Sequence, residues 1–344
     1  MIKFVLNKSA ALDRRVSGPF GIMFRERGIA LLMVLWIMAI LIVVTFSFSF
    51  AVRTELFSTN AFKDQMHDKL LAEAGLQRGI LEIYYRRLHK KDTVSLAESQ
   101  PCRVDGRPYA GRVGEDHYAF SLTDESGKIN INLLSDATGI ILNRLLVQQG
   151  IDPSRADTIV DALLDWKDSD NLHRLHGAED DYYQSLPRPY RAKNTSFDSP
   201  EELLFVKGMT AEILYGNEKK AGLIRFLTVY SGTSKINIHT AAPDVLKALP
   251  LMSADSVEKI IAYRTADNTD QNGAGLQALL GSQYAPLAQY ITTTDSGVYA
   301  IEAAGYQEGS EKVRYGLKAI VSILNNNKHE IFYYQSPARV RHAI

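Results

Sequence analysis

The chain has 344 residues, with 39 basic and 39 acidic side chains and no formal net charge. A neutral composition argues against a nucleic-acid footprint, which shows as a basic face or a high pI. The single cysteine, Cys102, excludes an intramolecular disulfide and reads as a half-buried structural thiol.

The first element in chain order is residues 25–53, RERGIALLMVLWIMAILIVVTFSFSFAVR. Residues 29–52, 24 in a row, are uncharged and apolar but for Thr45, Ser47 and Ser49. As a helix they rise roughly 36 Å at about 1.5 Å per residue, enough for a hydrocarbon core of about 30 Å. A secretory signal has a shorter apolar core of about 7–15 residues and a small-x-small cleavage site, and none follows here. Lys3, Lys8, Arg14, Arg15, Arg25 and Arg27 precede the run, against Asp13 and Glu26. That excess keeps the N-terminus cytoplasmic and sends the remainder across the membrane. Hydropathy alone is satisfied by a generic single-pass anchor.

Arg25-Glu26-Arg27-Gly28 followed by Ile29-Ala30-Leu31-Leu32 resembles the prepilin peptidase site of type IV pilins and type II secretion pseudopilins. The resemblance implies a leader of residues 1–28, cleavage after Gly28 and an N-methylated Ile29 as the mature N-terminus. A start at Met23 would give a shorter leader. Loss of residues 1–28 removes six basic and two acidic residues and leaves 33 against 37. Most pilins carry a glutamate at the fifth mature position, where this chain has Met33. A carboxylate in hydrocarbon is costly unless paired, and here the need for a partner is gone. Together with Trp36, that substitution resembles the K pseudopilins.

Helical periodicity continues from 53 to 89 through Phe62, Met66, Leu70, Ala74, Ile80 and Tyr84, with Gly75 and Gly79 as weak points. A polar loop over 90–108 leads to two short strands, 109–114 and 117–124. A long N-terminal helix laid on a sheet is the plan of pilins. Gly127-Lys128-Ile129-Asn130-Ile131-Asn132 then recurs as Ser234-Lys235-Ile236-Asn237-Ile238-His239. Each copy leads into a helix (137–149 and 242–248), a turn (150–154 and 250–254) and a second helix (156–164 and 256–263). Asp152 and Ser253 are the expected N-caps. One small helical module is used twice. The second copy looks like a helix-hairpin-helix, which can hold DNA phosphates on backbone amides. Its turn has no glycine, and only Lys247, Lys259 and Arg264 flank it, which favours a scaffold.

Between the copies lie Asp165-Trp166-Lys167-Asp168-Ser169-Asp170-Asn171, then Gly177-Ala178-Glu179-Asp180-Asp181-Tyr182-Tyr183, then Tyr190 to Asn194. Six carboxylates within 17 residues repel one another unless a hard cation sits among them. Calcium takes six to eight oxygens at about 2.3–2.6 Å. Residues 168–171 partly resemble the start of an EF-hand loop, but its glycine and terminal glutamate are missing. From spacing alone a solvated acidic loop and a cation site both stand. His173 and His176, three apart, are either exposed or a zinc pair. Strands are expected again at 298–305 and 312–324, the second alternating at Val313, Tyr315, Leu317, Ala319, Val321 and Ile323. Residues 326–344 are a tail with no assigned element.

The tryptophan-aspartate run, the Gly177-Ala178-Glu179 segment with its tyrosines and the later Asn194 resemble the K pseudopilin family of type II secretion. With the N-terminal motif and both modules, the resemblance covers residues 25–325. It implies an α+β fold, with a pilin-like long N-terminal transmembrane helix packed on an antiparallel sheet. A large helical insert would hold two SAM-like, helix-hairpin-helix-like modules. The expected boundaries are 1–28 leader, 29–52 transmembrane helix, 53–126 helix continuation and first strands, 127–228 first module with the acidic loop, 229–290 second module, 291–325 closing strands and 326–344 tail. It also implies structural Ca2+, with Asp165, Asp168, Asp170, Glu179, Asp180 and Asn194 as candidate ligands and Trp166, Tyr182 and Tyr183 as the side chains that fix the loop. The expected role is non-enzymatic: capping the tip of the periplasmic pseudopilus and helping to initiate its assembly. The expected partners are minor pseudopilins I and J, with H in the tip complex, the major pseudopilin filament, the prepilin peptidase and the inner membrane, with no nucleic acid. No catalytic constellation stands out. The rival readings are a membrane-tethered DNA-binding uptake protein and a membrane-anchored metal enzyme.

Overall fold

The structure is a computed structural model describing residues 27–88, 102–218, 220–265, 274–306, 315–324 and 328–340. The leader through residue 26, most of the 90–108 loop and the start of the second closing strand lie outside them. The chain divides into a unit ending at Lys63 and a unit of Asp64–Ile344.

Helix α1, Arg27–Leu88, runs for 62 residues. No proline interrupts it, and in the first unit its apolar side chains, Trp36 and Phe46 among them, are exposed. That pattern suits lipid rather than water. In the second unit Ala72, Leu76, Ile80 and Ile83 of the same helix are buried on a five-stranded antiparallel sheet. Its strands are β1, Asp105–Val113, and β2, Asp116–Asp124, then β7, Val298–Tyr306, β8, Tyr315–Ile323, and β9, His329–Gln335, in the order β1-β2-β7-β8-β9. Phe120, Leu122, Ile301, Ala303, Leu317, Ala319 and Val321 complete this core. The glycines that weaken α1 are where it comes closest to the sheet. A Cβ on Gly79 would stand 2.9 Å from Cγ2 of Ile301, and one on Gly305 would stand 2.1 Å from the Asp68 carbonyl oxygen. Close approach offsets the lower helix propensity of glycine. The tail left without an element supplies the edge strand β9.

Residues 125–297 are inserted between β2 and β7. The sequence echo is a structural one. In the first copy β3, Ile129–Asn130, pairs in parallel with β4, Leu227–Thr228. In the second, β5, Ile236–Asn237, pairs in parallel with β6, Ile291–Thr292. Each asparagine then turns the chain in the same way: Asn130 Oδ1 accepts from the Asn132 amide at 3.0 Å, and Asn237 Oδ1 from the His239 amide at 3.1 Å. The first module holds α2, Gly139–Gln148, α3, Pro153–Lys167, α4, Asp180–Gln184, and α5, Ala211–Tyr215. The second holds α6, Pro243–Ala248, α7, Ala254–Thr265, α8, Ala274–Leu280, and α9, Tyr284–Leu287. Leu142, Leu145, Leu146, Ile159 and Leu163 share one buried core with Val245, Leu246 and Ile260.

Both expected caps are made. Asp152 Oδ1 accepts from the Ser154 amide at 3.0 Å, and Ser253 Oγ from the Ser256 amide at 3.0 Å. Two residues before each cap the chain enters the left-handed region, at Gly150 (φ +81°) and Leu251 (φ +62°). The second hairpin thus makes its turn with an exposed leucine where the first uses glycine.

The insert is tied to the sheet at Asp124, which is fully buried at the end of β2. Its carboxylate accepts from the Ser126 amide (2.9 Å) and hydroxyl (2.8 Å), Asn237 Nδ2 (3.2 Å), the Ser296 amide (3.1 Å) and the Ser296 hydroxyl. Burial and neighbouring Asp295 push this carboxyl up, and the serine donors pull it back. Asp295 is itself 3.2 Å from Arg86 Nη2 of α1. Asp124→Ala would leave these buried donors without an acceptor, so it is expected to lower stability by about 3 kcal/mol or more. Urea unfolding of a fragment lacking the apolar run measures this, with Ser296→Ala, at about 1 kcal/mol, as the milder comparison.

Candidate metal centre

The acidic segment begins where α3 ends. Asp168 is the C-cap residue of α3, and its amide donates to the Leu164 carbonyl at 3.2 Å. The chain then loops from 169 to 178 and re-enters helix at α4, with Glu179 as the N-cap residue in extended backbone. Four aromatic rings support this loop. Trp166 packs edge-on to Tyr183 (5.1 Å between centroids), Tyr183 stacks on Tyr190 (5.2 Å), and Phe205 stacks on Trp166 (6.4 Å). Burial pushes the Tyr183 hydroxyl up. The two tyrosines differ: Tyr183 is core, while the Tyr182 ring is covered by Lys207 Nζ at 4.9 Å.

Oxygens of Asp168, Asp170 and Glu179 lie within 4.8 Å of one another. Two oxygens on one calcium, each at about 2.5 Å, can be no more than about 5 Å apart. Asp168 Oδ1, both Glu179 carboxylate oxygens and Asn194 Oδ1 are buried without a hydrogen-bond donor. Glu179 is 1% exposed. Burial pushes its carboxyl up to about 7, with Asp165, Asp168, Asp170 and Asp180 adding repulsion. Buried oxygens that lack donors are rare in folded proteins and call for an explanation. A hard cation among Asp168, Asp170 and Glu179 would supply the charge that the donor-free carboxylate oxygens lack.

Asn194 belongs to this group although it lies far along the chain. Its amide donates to the Trp166 carbonyl at 2.9 Å, and its Nδ2 donates to Asn171 Oδ1 at 3.3 Å. It adopts φ +51°, which asparagine tolerates better than most residues. Asp168, Asp170 and Glu179 therefore make an all-oxygen donor set of the kind calcium takes, and Asn194 Oδ1, unpartnered among the described residues, is a further oxygen on chain tied to the same loop. The set offers no nitrogen or sulfur to favour zinc.

Two candidate ligands are engaged elsewhere. Asp165 is fully buried, and its oxygens accept from Arg174 Nη1 (2.7 Å), the Arg174 amide (3.3 Å) and the Ala178 amide (2.9 Å). Burial pushes its carboxyl up and Arg174 pulls it back. Asp180 Oδ1 accepts from the Ala192 amide (2.9 Å) and Oδ2 from Gln184 Nε2 (3.3 Å), which pins the strand of chain before Asn194. The histidines part company: His173 Nε2 is 3.0 Å from Asp181 Oδ1, and the His176 amide donates to Asp161. Among the described residues neither belongs to a group of three or more metal-binding side chains.

Sequence reasoning passed over Arg174 and Asp136 and gave Gly177 no role of its own. Arg174 Nε donates to Asp136 Oδ1 at 2.9 Å, and its Nη1 also reaches Asp168 Oδ2 at 2.7 Å. A Cβ on Gly177 would fall 1.7 Å from Asp165 Oδ2, so only glycine lets the loop close over that carboxylate. A lone arginine inside an acidic run is the signal that could have found this group.

A long N-terminal helix whose second half packs on an antiparallel sheet, with a large helical insert between two paired strands, is a pilin-like arrangement. Residues 127–220 match the family model described as type II secretion system (T2SS), protein K. A type II secretion system protein K from Pectobacterium carotovorum subsp. carotovorum is 28% identical over 201 residues, 55% of this chain and 60% of that one. One from Klebsiella pneumoniae is 29% identical over 238 residues, 64% of this chain and 68% of that one. A putative type II secretion system protein K from Escherichia coli (strain K12) is 29% identical over 55% of this chain and 59% of its own length. The chain thus spans about three fifths of the length of the first of these relatives. A chain of the crystal structure of the GspK-GspI-GspJ complex from the enterotoxigenic Escherichia coli type 2 secretion system has the same fold. Its TM-score is 0.53 at 16% identity, covering 83% of this chain and 100% of that one. Residues 127–220 are thus similar to the type II secretion system protein K family, and the whole chain shares the fold of that solved structure.

Glu179→Gln is expected to abolish the rise in Tm that calcium brings. In the wild type, calcium at about 100 times Kd adds roughly 2.7 kcal/mol, on the order of 5–10 °C at this size. In chelator the same variant is expected to melt above the wild type by on the order of 5 °C, because a buried carboxylate under repulsion is gone. Differential scanning calorimetry with calcium and with EDTA reads both. The pH dependence follows from the raised Glu179. Its favourable contribution to the metal-free fold is full below the ordinary glutamate value and is lost as pH rises to about 7. Calcium displaces that proton, so titration calorimetry is expected to show Kd rising as pH falls below about 7, approaching tenfold per unit.

Proposed function

We propose that this chain is the K minor pseudopilin of a type II secretion system. In this reading it caps the tip of the periplasmic pseudopilus and helps to initiate its assembly for protein export. Residues 1–28 are a leader, cut after Gly28 by the prepilin peptidase, and Ile29 is then methylated. Before assembly, residues 29–52 anchor the chain as a single pass in the inner membrane, with the N-terminus cytoplasmic and the folded part periplasmic. Afterwards the same helix packs into the filament. Minor pseudopilins I and J, with H, share the tip, and the major pseudopilin forms the shaft. Calcium is structural, held by Asp168, Asp170, Glu179 and Asn194, and supplies the charge those oxygens lack. The role is assembly, not catalysis.

The observation that carries this reading is the insertion of 173 residues, with their own core, between two paired strands of a pilin-type sheet. A repeating shaft stacks small identical heads, and a head enlarged in this way suits a terminal place. Met33 supports the same position, since it lacks the carboxylate with which most pilins engage a neighbour. The relative solved in complex with GspI and GspJ supports the choice of partners.

Residues 54–344, co-expressed with the periplasmic parts of I and J in calcium, are expected to co-purify as one complex by size-exclusion chromatography with light scattering. No complex under those conditions overturns the reading, and a salt-dependent DNA shift by the same fragment would favour the DNA-uptake alternative. N-terminal sequencing of the mature protein is expected to begin at Ile29, and retained residues 1–28 would leave only a generic anchor.

A further inference from the structure

Arg174 occupies an unusual place for a cation. It stands inside an acidic segment, and its guanidinium spans three carboxylates on two pieces of chain. Nε reaches Asp136 in the turn before α2, while Nη1 reaches Asp165 within α3 and Asp168 at its end. Its backbone amide also donates to Asp165. The Ala178 amide, next to Glu179, donates to the same carboxylate at 2.9 Å. The middle and the far end of the segment between Asp170 and Glu179 are thereby fixed on one buried group, and none of these bonds needs a metal.

We propose that Arg174, with Asp165 as its anchor, is the positioning residue of the calcium centre. It latches loop 169–178 closed without metal and so presents Asp168, Asp170 and Glu179 already gathered. Arg174 is not a ligand; it acts through Asp165 and Asp168. Two effects oppose each other. Its charge repels the incoming cation, and its fork removes the loop-ordering that binding would otherwise require. The geometry decides between them. Asp165 is fully buried, so the guanidinium charge is largely spent on Asp165 and Asp136, whereas Glu179 accepts no hydrogen bond from it. Gly177, with no room for a Cβ beside Asp165, shows how tightly the loop is drawn down. Second-sphere partners of this kind typically change metal affinity by 10–100-fold.

This inference rests on the calcium reading, and the test separates the two. Hydrogen exchange on the wild-type protein in EDTA is expected to show protected amides at Arg174 and Ala178. Arg174→Gln is expected to expose both amides and to raise the calcium Kd, by isothermal titration at 20 °C, by about tenfold or more. Arg174→Lys, which keeps the charge but not the fork, is expected to fall between. Asp136→Asn removes one exposed arm and guards against a misfolded Gln variant; a two- to threefold weaker affinity is expected. A merely structural arginine would lower Tm and leave the Kd of the folded protein unchanged, so unchanged Kd values in Arg174→Gln and Asp136→Asn overturn the proposal. Rapid exchange at Ala178 in metal-free wild type overturns the latch whether or not calcium binds. A wild type that binds no calcium while Ala178 stays protected overturns the calcium reading and leaves the latch standing.

Discussion

One buried carboxylate holds the insert to the sheet. Asp124 closes β2 and at the same time receives donors from the start of the first module (Ser126), the echo segment of the second (Asn237) and the residue pair that returns the chain to β7 (Ser296). A charge taken out of water is tolerated only when its lone pairs are filled, and here five donors fill them. The same requirement works outward. Asn237 must present its amide to Asp124 while its side-chain oxygen turns the following residues, which sets the direction in which the second module leaves the sheet. Arg86 reaches Asp295 beside this group, so α1 is referenced to the same point.

The acidic segment inverts that logic. Asp165 and Glu179 are both buried, 14 positions apart in one acidic segment. Asp165 is satisfied by a guanidinium and two amides; among the described residues Glu179 has no donor. Donors fill the carboxylates of Asp124 and Asp165, while oxygens of Glu179, Asp168 and Asn194 are left without one among the described residues, and that difference is what the proposed calcium site rests on. Counting carboxylates would not separate these roles, because the distinction lies in how many lone pairs the protein itself uses.

Much of the fold is legible in the sequence because its signals are local. The alternation through Tyr315, Leu317, Ala319 and Val321 marks β8 since its two faces meet different surroundings. The repeated Lys-Ile-Asn-Ile segment marks both modules since an asparagine turn is made by neighbouring residues. What is not legible depends on distant ones. Gly79 reads as a weakness in α1 until Ile301, more than two hundred residues away, is found against it. Strand β9 hides because Ile331, Phe332 and Tyr334 are all exposed, so an edge strand carries no inside-outside period. In the site, residue types point to a cation, but only the reach of Arg174 shows that Asp165 is an anchor and not part of the cluster.

The parallel bridges β3–β4 and β5–β6 have a kinetic consequence. Strands β2 and β7 must find each other across 173 intervening residues, and closing so long a flexible loop costs roughly 4–5 kcal/mol in chain entropy. Each bridge brings the two ends of its own module together. Once both modules are closed, the path from Asp124 to Val298 is only about two dozen residues long, which lowers that entropy by about 2 kcal/mol. Contact-order reasoning favours closing each module, whose bridge spans less chain than the β2–β7 pairing, before the sheet that carries them. The insert is then less a burden on the pilin-type sheet than the clamp that brings its halves within reach.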